Sequence, residues 1–375
     1  MELKTYFTDF LSNIRPTAAQ NNELKEGHTL LRTRLQEYDD LKSIVVDTFL
    51  QGSYRRYTAI RPKPSEKGDV DVIVVTNIDK DTVAPNEALQ MFVPFLDKYY
   101  KGKYEFQGRS LGIEMSSIKL DLVPTSAPSE VGKQLLKSSM FTEWNPSIDS
   151  ILQSTNVSFG STAMLSEMAK ADKEFKDHPL YIPDVDADEW EETDPVSQIR
   201  ITNEKNSECN GHYVNVVKAI KWWRREMQPE PKYPKSYPLE HLICLNCPDA
   251  ITSVAIGVTL TLERISAAYY TQALIKQTPF ISDHGVPSHD VLGRVSGDDF
   301  AKFHSHISEA AVIARKAFDA QTEKKSAILW RKLFGDNFPP PSDNGDNDED
   351  DGGGPRGGYS PRTKESVITG GGRFA

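Results

Sequence analysis

The chain has 375 residues, enough for two packed lobes rather than one core. Its 38% apolar content suits a water-soluble fold, and its formal charge of −10 argues against a surface that coats nucleic acid by neutralising phosphates. The N-terminus, MELKTYFTDF, has no long apolar stretch, and no run approaches ~20 apolar residues. Secretion and membrane spanning are therefore not expected, and a cytoplasmic setting is.

Residues 2 to about 42 read as helical. Leu3, Tyr6, Phe7, Phe10, Leu11 and Ile14 form one apolar stripe, which Pro16 interrupts. A longer helix starts at Thr17, with Leu24, Leu30, Leu31, Leu35 and Tyr38 on its buried side. The apolar, β-branched run SIVVDTFL then predicts a strand ending at Leu50. Gln51-Gly52-Ser53 follows at once, with a helical turn over Tyr54 to Tyr57. After a Pro/Lys-rich loop, Asp69-Val70-Asp71 opens a second strand that runs to Thr76.

Carboxylates at i and i+2 on a strand share a face. Burying them together without a counter-charge is costly, and a divalent cation removes that cost. Most isolated Asp-x-Asp pairs are solvated loop ends, so the surroundings decide. Here a Gly-Ser corner lies just upstream, where backbone N–H groups can hold phosphate. Further on, Asn86 to Tyr100 reads as one amphipathic helix, and Tyr104–Gly108 and Ser110–Ser116 as strands. In the next strand, SIKLDLVP, Asp121 projects from the Lys119 face. Three carboxylates on two neighbouring strands can hold two magnesium ions, the clamp used for in-line nucleotidyl transfer.

On these residues the sequence resembles the polymerase-β-like nucleotidyltransferases. The string QGSYRRYTAI…KGDVDVIVV is similar to the bacterial relatives of cyclic GMP–AMP synthase and oligoadenylate synthase, the cGAS/DncV-like nucleotidyltransferases, and looks closest to members that make cyclic trinucleotides. The resemblance implies an α+β chain. A nucleotidyltransferase lobe with a mixed sheet and helices would pair with a helical C-terminal lobe, the active site lying in the cleft between them. The expected boundaries are 1–48 for N-terminal bracing helices, 49–200 for the catalytic lobe, 201–335 for the helical lobe and 336–375 for a disordered acidic, Gly-rich tail.

From Pro124 to about Val196 the pattern weakens. Leu135 and Met140 fall in a loop or short strand, Ile148–Ser154 reads as a short helix, and the acidic run Asp184–Asp194 as a solvated loop. HYVNVVKAIKWWRREM is a helix with Val214, Val217, Ile220 and Trp223 on its apolar face. Lys218 and Lys221 lie near one side of it, and Ser236 reads as the N-cap of the next helix. A lysine and a capping serine can hold the β- and γ-phosphates of a nucleotide. The resemblance favours Lys221 with Ser236, and Lys218 is a rival one turn away. Cys244 and Cys247 form a lone C-x-x-C near His241; with Cys209 a Cys/His cluster is conceivable, but thiols in a helical core in a reducing compartment are the simpler reading.

Helices continue over Ile251–Lys276 and Phe300–Phe334, with Asp298 as an expected N-cap. Between them His284, His289, Asp283 and Asp290 sit in a turn-rich connector without metal-ligand spacing. From 336 on, proline, glycine and acidic residues dominate and few apolar groups remain to bury.

The implied chemistry assigns Asp69, Asp71 and Asp121 to two Mg2+ ions, with Mn2+ able to substitute, and Asp121 to the acceptor proton. Gln51, Gly52, Ser53, Lys221 (or Lys218) and Ser236 would hold the triphosphate of ATP, with GTP as a second substrate. The product would be a cyclic di- or trinucleotide messenger in antiphage defence. Asn203 or Asn210 are the guesses for base selection. The resemblance also raises a partner: a ubiquitin-transfer-like enzyme, or another operon-encoded regulator, acting on the tail through Ala375. Competing readings are a linear RNA-tailing enzyme on the same fold, which would need a basic RNA surface, and a catalytically silent protein that works through its tail.

Overall fold

The computed structural model describes residues 1–127, 179–227, 229 and 231–342. The readings of Leu135, Met140 and Ile148–Ser154, of the tail from 343 and of conjugation at Ala375 fall outside the described residues.

Two N-terminal helices open the chain, α1 (Lys4–Ile14) and α2 (Ala18–Glu37). Thr17 starts α2 with a capping box: its hydroxyl accepts from the Gln20 N–H and the Gln20 side chain accepts from the Thr17 N–H. A five-stranded mixed sheet follows, built from β1 (Val45–Gln51), β2 (Gly68–Thr76), β3 (Tyr104–Phe106), β4 (Leu111–Glu114) and β5 (Ile118–Pro124) in the order β1-β2-β5-β4-β3. The expected run of helix, strand, helix, strand, helix and three strands is observed. β1 is antiparallel to β2, and β2 is parallel to β5. A parallel neighbour needs a crossover, which the chain between β2 and β5 supplies.

That crossover contains the first departure from expectation. The single helix over Asn86–Tyr100 is two, α4 (Pro85–Gln90) and α5 (Val93–Tyr99), with the one-turn α3 (Gly52–Arg55) preceding β2. Pro94, near the start of α5, lacks an N–H and cannot continue the ladder of α4. The acidic run near 184 is not a loop either. It folds as a hairpin of β6 (Leu180–Asp184) and β7 (Glu189–Thr193), with Asp184 buried. Asp184 is tolerated there because the Arg109 guanidinium lies 2.7 Å away.

The second half is helical: α6 (Pro195–Glu208), α7 (Tyr213–Glu226), α8 (Ser236–Asn246), α9 (Val254–Ala268), α10 (Tyr270–Leu274), α11 (Gly297–Phe318) and α12 (Glu323–Phe334). Asp298 is not the cap of α11. Ser296 is, accepting from the Asp299 N–H, while Asp298 sits in the first turn and pairs with Lys276 at 2.9 Å. Ser236 is the first residue of α8 rather than its cap; Lys235 stands at the cap and makes no side-chain capping bond.

Two large apolar cores form, beside a smaller cluster on the other face of the sheet. One lies under the sheet, where Val70, Val72, Val74, Leu120 and Leu122 meet Leu24, Leu31 and Leu35 of α2 and Phe92, Phe95 and Leu96 of the crossover. The other fills the helical half and takes in Phe7, Phe10, Leu11 and Ile14 of α1. The first helix thus belongs to the helical core and the second to the sheet. Phe10 stacks on Phe334 at 4.5 Å between ring centroids and is fully buried. Phe10→Ala should cost about 3–5 kcal/mol by truncating that contact and opening a cavity; urea unfolding of the variant against the native chain measures it.

Candidate active site

The strand periodicity places Asp69, Asp71, Ile73 and Val75 on one face of β2, and Lys119, Asp121 and Val123 on the same face of β5. Phe49, Ile73, Val75 and Val123 are covered by Leu180 and Val196. The acidic end of the face is left open as a cleft. The parallel register sets Asp71 beside Asp121 and Asp69 beside Lys119. On the other side of β2, Gln51 is opposite Asp71.

This brings the carboxylate oxygens of Asp69, Asp71 and Asp121 within 4.8 Å of one another. Among the described residues it is the one group of three or more side chains arranged to hold a metal ion. Asp69 stays open to the cleft, while Asp71 and Asp121 are half-buried. Loss of surrounding water, then repulsion by Asp71 and Asp121, pushes the Asp69 carboxyl up to about 7. Burial, then repulsion by Asp121, raises Asp71 to about 6, with Arg56 partly opposing. Burial also raises Asp121, against the pull of Lys119, whose ammonium lies 3.5 Å away. Lys119 and Arg56 together leave three carboxylates short of positive charge, and Asp121 Oδ1 is buried without a hydrogen-bond partner. The residues present therefore suit divalent cations.

Gly52 forms the corner above the triad with a φ of +74°. A Cβ there would come 1.8 Å from Asp71 Oδ2. Only glycine satisfies both the left-handed backbone and the contact with the carboxylate. Ser53 and Ser236, from the two halves of the chain, both line a cleft cavity of about 630 Å3 together with Gln51, Gly52, Asp69 and Asp71. Of the two rival lysines, Lys221 borders an adjoining cavity with Ser53, Asp69 and Ser236, and Lys218 lines neither cavity. Lys218 is buried beside Arg15 and Lys221, and burial drives its pKa well down. Neither Asn203 nor Asn210 lines the cleft; Asn210 instead donates to the Ile251 carbonyl at 3.1 Å.

Sequence reasoning missed Glu240. Its carboxylate, buried in α8, accepts from Lys221 Nζ at 2.8 Å, Thr58 Oγ1 at 2.9 Å and Arg56 NH2 at 3.2 Å. Burial alone would raise its pKa, but Lys221, Arg56 and the Thr58 hydroxyl outweigh that and hold it below the usual range. The network ties the segment after Gly52-Ser53 to the helical half. Its members lie up to 184 residues apart in sequence, so no local signal pointed to it. Arg109 was missed for the same reason: it spans Asp184 and Glu191 at the cleft wall.

Among the described residues, neither the cysteines nor the histidines of the connector fall in a group of three or more side chains arranged to hold a metal ion. Cys209 and Cys247 have their sulfurs 3.8 Å apart in the helical core, and His241 stacks on His284. No helix among the described residues is long and apolar enough to cross a membrane.

Residues 1–145 match the family model of the Second Messenger Oligonucleotide or Dinucleotide Synthetase domain. The chain is 44% identical to a cyclic AMP-AMP-GMP synthase of Enterobacter hormaechei, with all of both chains covered. The chain belongs to the cGAS/DncV-like nucleotidyltransferases. It is 43% identical to a probable cyclic AMP-AMP-GMP nucleotide synthase of Salmonella paratyphi B, again over both full lengths. The fold matches the crystal structure of the Vibrio cholerae cyclic AMP-GMP synthase DncV with a TM-score of 0.64, at 12% identity over 91% of this chain and 97% of that one. Such family members are nucleotidyltransferases that make cyclic oligonucleotide second messengers, and the α+β architecture expected from the sequence is the one observed.

Two outcomes follow from the geometry. Gly52→Ala should reduce nucleotidyl transfer by at least about tenfold, because the new methyl group displaces Asp71; a rate assay with labelled ATP measures it. The raised carboxyls give the second. At Asp69 and Asp71 the folded state binds protons more tightly than the unfolded chain, so without divalent ions their contribution to stability falls as pH rises from about 4 through about 7. In chelator, melting of the native chain should drop relative to Asp69→Asn over that window, and Mg2+ should restore it.

Proposed function

We propose that the chain joins ATP and GTP into cyclic AMP–AMP–GMP, releasing one pyrophosphate per bond. The product rests on the full-length likeness to a cyclic AMP-AMP-GMP synthase. The chemistry rests on one observation: the parallel β2–β5 register, which gathers Asp69, Asp71 and Asp121 under the Gly52 corner.

Asp69, Asp71 and Asp121 would hold two divalent ions, Mg2+ or Mn2+ in its place. Such ions lower the pKa of an acceptor hydroxyl and neutralise charge at the α-phosphate. The protein's own groups do the rest. Gly52 lets the backbone approach the phosphates, and Ser53, Gln51, Lys221 and Ser236 orient them. Fixing donor and acceptor in one cleft converts their encounter into a unimolecular step. The acceptor hydroxyl oxygen forms a bond to the α-phosphorus, and the bond from that phosphorus to the bridging oxygen breaks. The electron pair leaves with pyrophosphate, and Asp121 takes the hydroxyl proton. Two such steps build a linear trinucleotide and a third closes it.

Purified protein with labelled ATP, GTP and Mg2+ should yield a phosphatase-resistant product with the mass of cyclic AMP–AMP–GMP. Asp69→Asn with Asp71→Asn should abolish it. Phosphatase-sensitive products would assign the chain to linear transfer, and full activity in the double variant would overturn the site.

A further inference from the structure

The cleft has two chambers, and their charges differ. The larger, of about 630 Å3, is lined by eight carboxylates, among them Asp71, Glu191 and Glu192, against four cationic side chains, Arg56, Arg109, Lys235 and Arg294. The smaller, of about 220 Å3, is walled by Lys67, Lys221, Arg224 and Arg225, and Asp69 is the single carboxylate among its lining residues. Ser53, Asp69 and Ser236 border both. The balance of charge on either side of the triad therefore favours an anion in the smaller chamber.

We propose that the smaller chamber binds the leaving diphosphate, and that Lys67 and Arg225 grip it there and set how fast it departs. This rests on the nucleotidyl-transfer reading above and goes beyond the lysine–serine pair that orients the triphosphate. The broken bond lies at the junction of the chambers, so the nucleoside side of the donor stays in the larger one and the diphosphate lies in the smaller.

A strap roofs the small chamber, formed by the segment between α3 and β2. Its start is pinned to the end of α1: the Arg61 N–H donates to the Ile14 carbonyl at 2.6 Å, and the Arg61 guanidinium to the Arg15 and Ser12 carbonyls at 2.9 and 3.1 Å. Arg225 reaches up from α7 to the Arg61 carbonyl and to Glu66 Oε2, 2.6 Å away. Lys67, two residues before Asp69, pairs with Glu114 at 3.0 Å. These pairings are with glutamates that do not line the chamber. The Lys67 and Glu114 side chains are 34% and 55% exposed, and such a pair is worth about 0–1 kcal/mol. A diphosphate offers Lys67 and Arg225 several oxygens and charge-assisted hydrogen bonds, which are roughly twice as strong as neutral ones. It therefore displaces the glutamates, and the glutamates compete it off again. Glu66 and Glu114 keep both cations occupied between turnovers and limit how tightly product is held.

The test is calorimetric titration of inorganic pyrophosphate with Mg2+ into the full chain, alongside pyrophosphate inhibition of turnover. Lys67→Ala and Arg225→Ala should each raise the pyrophosphate Kd by about tenfold, the loss of one charge-assisted bond. Glu66→Gln should lower it, making product inhibition stronger. Lys67 is partly exposed and its pair with Glu114 adds little stability, so its alanine variant should melt like the native chain and by itself decides the matter. Unchanged pyrophosphate affinity in Lys67→Ala overturns the proposal, even if the cyclic product is normal. Absence of cyclic product with the pyrophosphate pattern as expected would instead strike the product reading and leave the chamber intact.

Discussion

Three carboxylates with oxygens within 4.8 Å of one another repel, and the rest of the molecule is arranged to keep them there. The parallel β2–β5 ladder does so with backbone bonds, which do not respond to charge. Val70, Val72, Leu120 and Leu122, on the opposite face, lock that ladder onto α2 and the crossover helices. Sliding β5 by one residue would turn Asp121 into the apolar core, at a cost the fold cannot bear. The register is thus protected by the same alternation that presents the acids, and a site of high electrostatic energy persists because the hydrophobic side of the sheet outweighs it.

The second requirement is that the helical half meets this face at a defined place. Glu240 meets it by gathering Arg56 and Thr58 from the catalytic side and Lys221 from α7 on one buried carboxylate. A buried ion network adds little net stability against an apolar replacement, but it admits few alternative arrangements. Its consequence is positional. It sets Ser236, on the same helix as Glu240, at the wall of the cleft that Ser53 also lines. Arg109, held by Asp184 and Glu191, ties the β6–β7 hairpin to the turn between β3 and β4 at the far wall.

Charge segregation then follows from the fold rather than from composition. A chain with a net charge of −10 still builds a cationic chamber, because α7 and the strap deliver Lys221, Arg224, Arg225 and Lys67 to one side of the triad. The acids of the hairpin and of the 283–290 connector line the other side.

Much of this was legible in the residues themselves. Period-two alternation told that Asp69, Asp71 and Asp121 project from the faces of two strands, and the Gly-Ser pair marked the corner, because both are local consequences of backbone geometry. Pro94 and the acidic hairpin were misread, since one ring and one distant arginine override local pattern. Tertiary structure alone decided that β2 and β5 pair in parallel at the register joining Asp71 to Asp121. It alone chose Lys221 over Lys218 for the cavity wall, and it alone placed Glu240 between Arg56 and Lys221. Those are meetings of residues tens to hundreds of positions apart, set by which surfaces bury together, and no short stretch of chain carries that information.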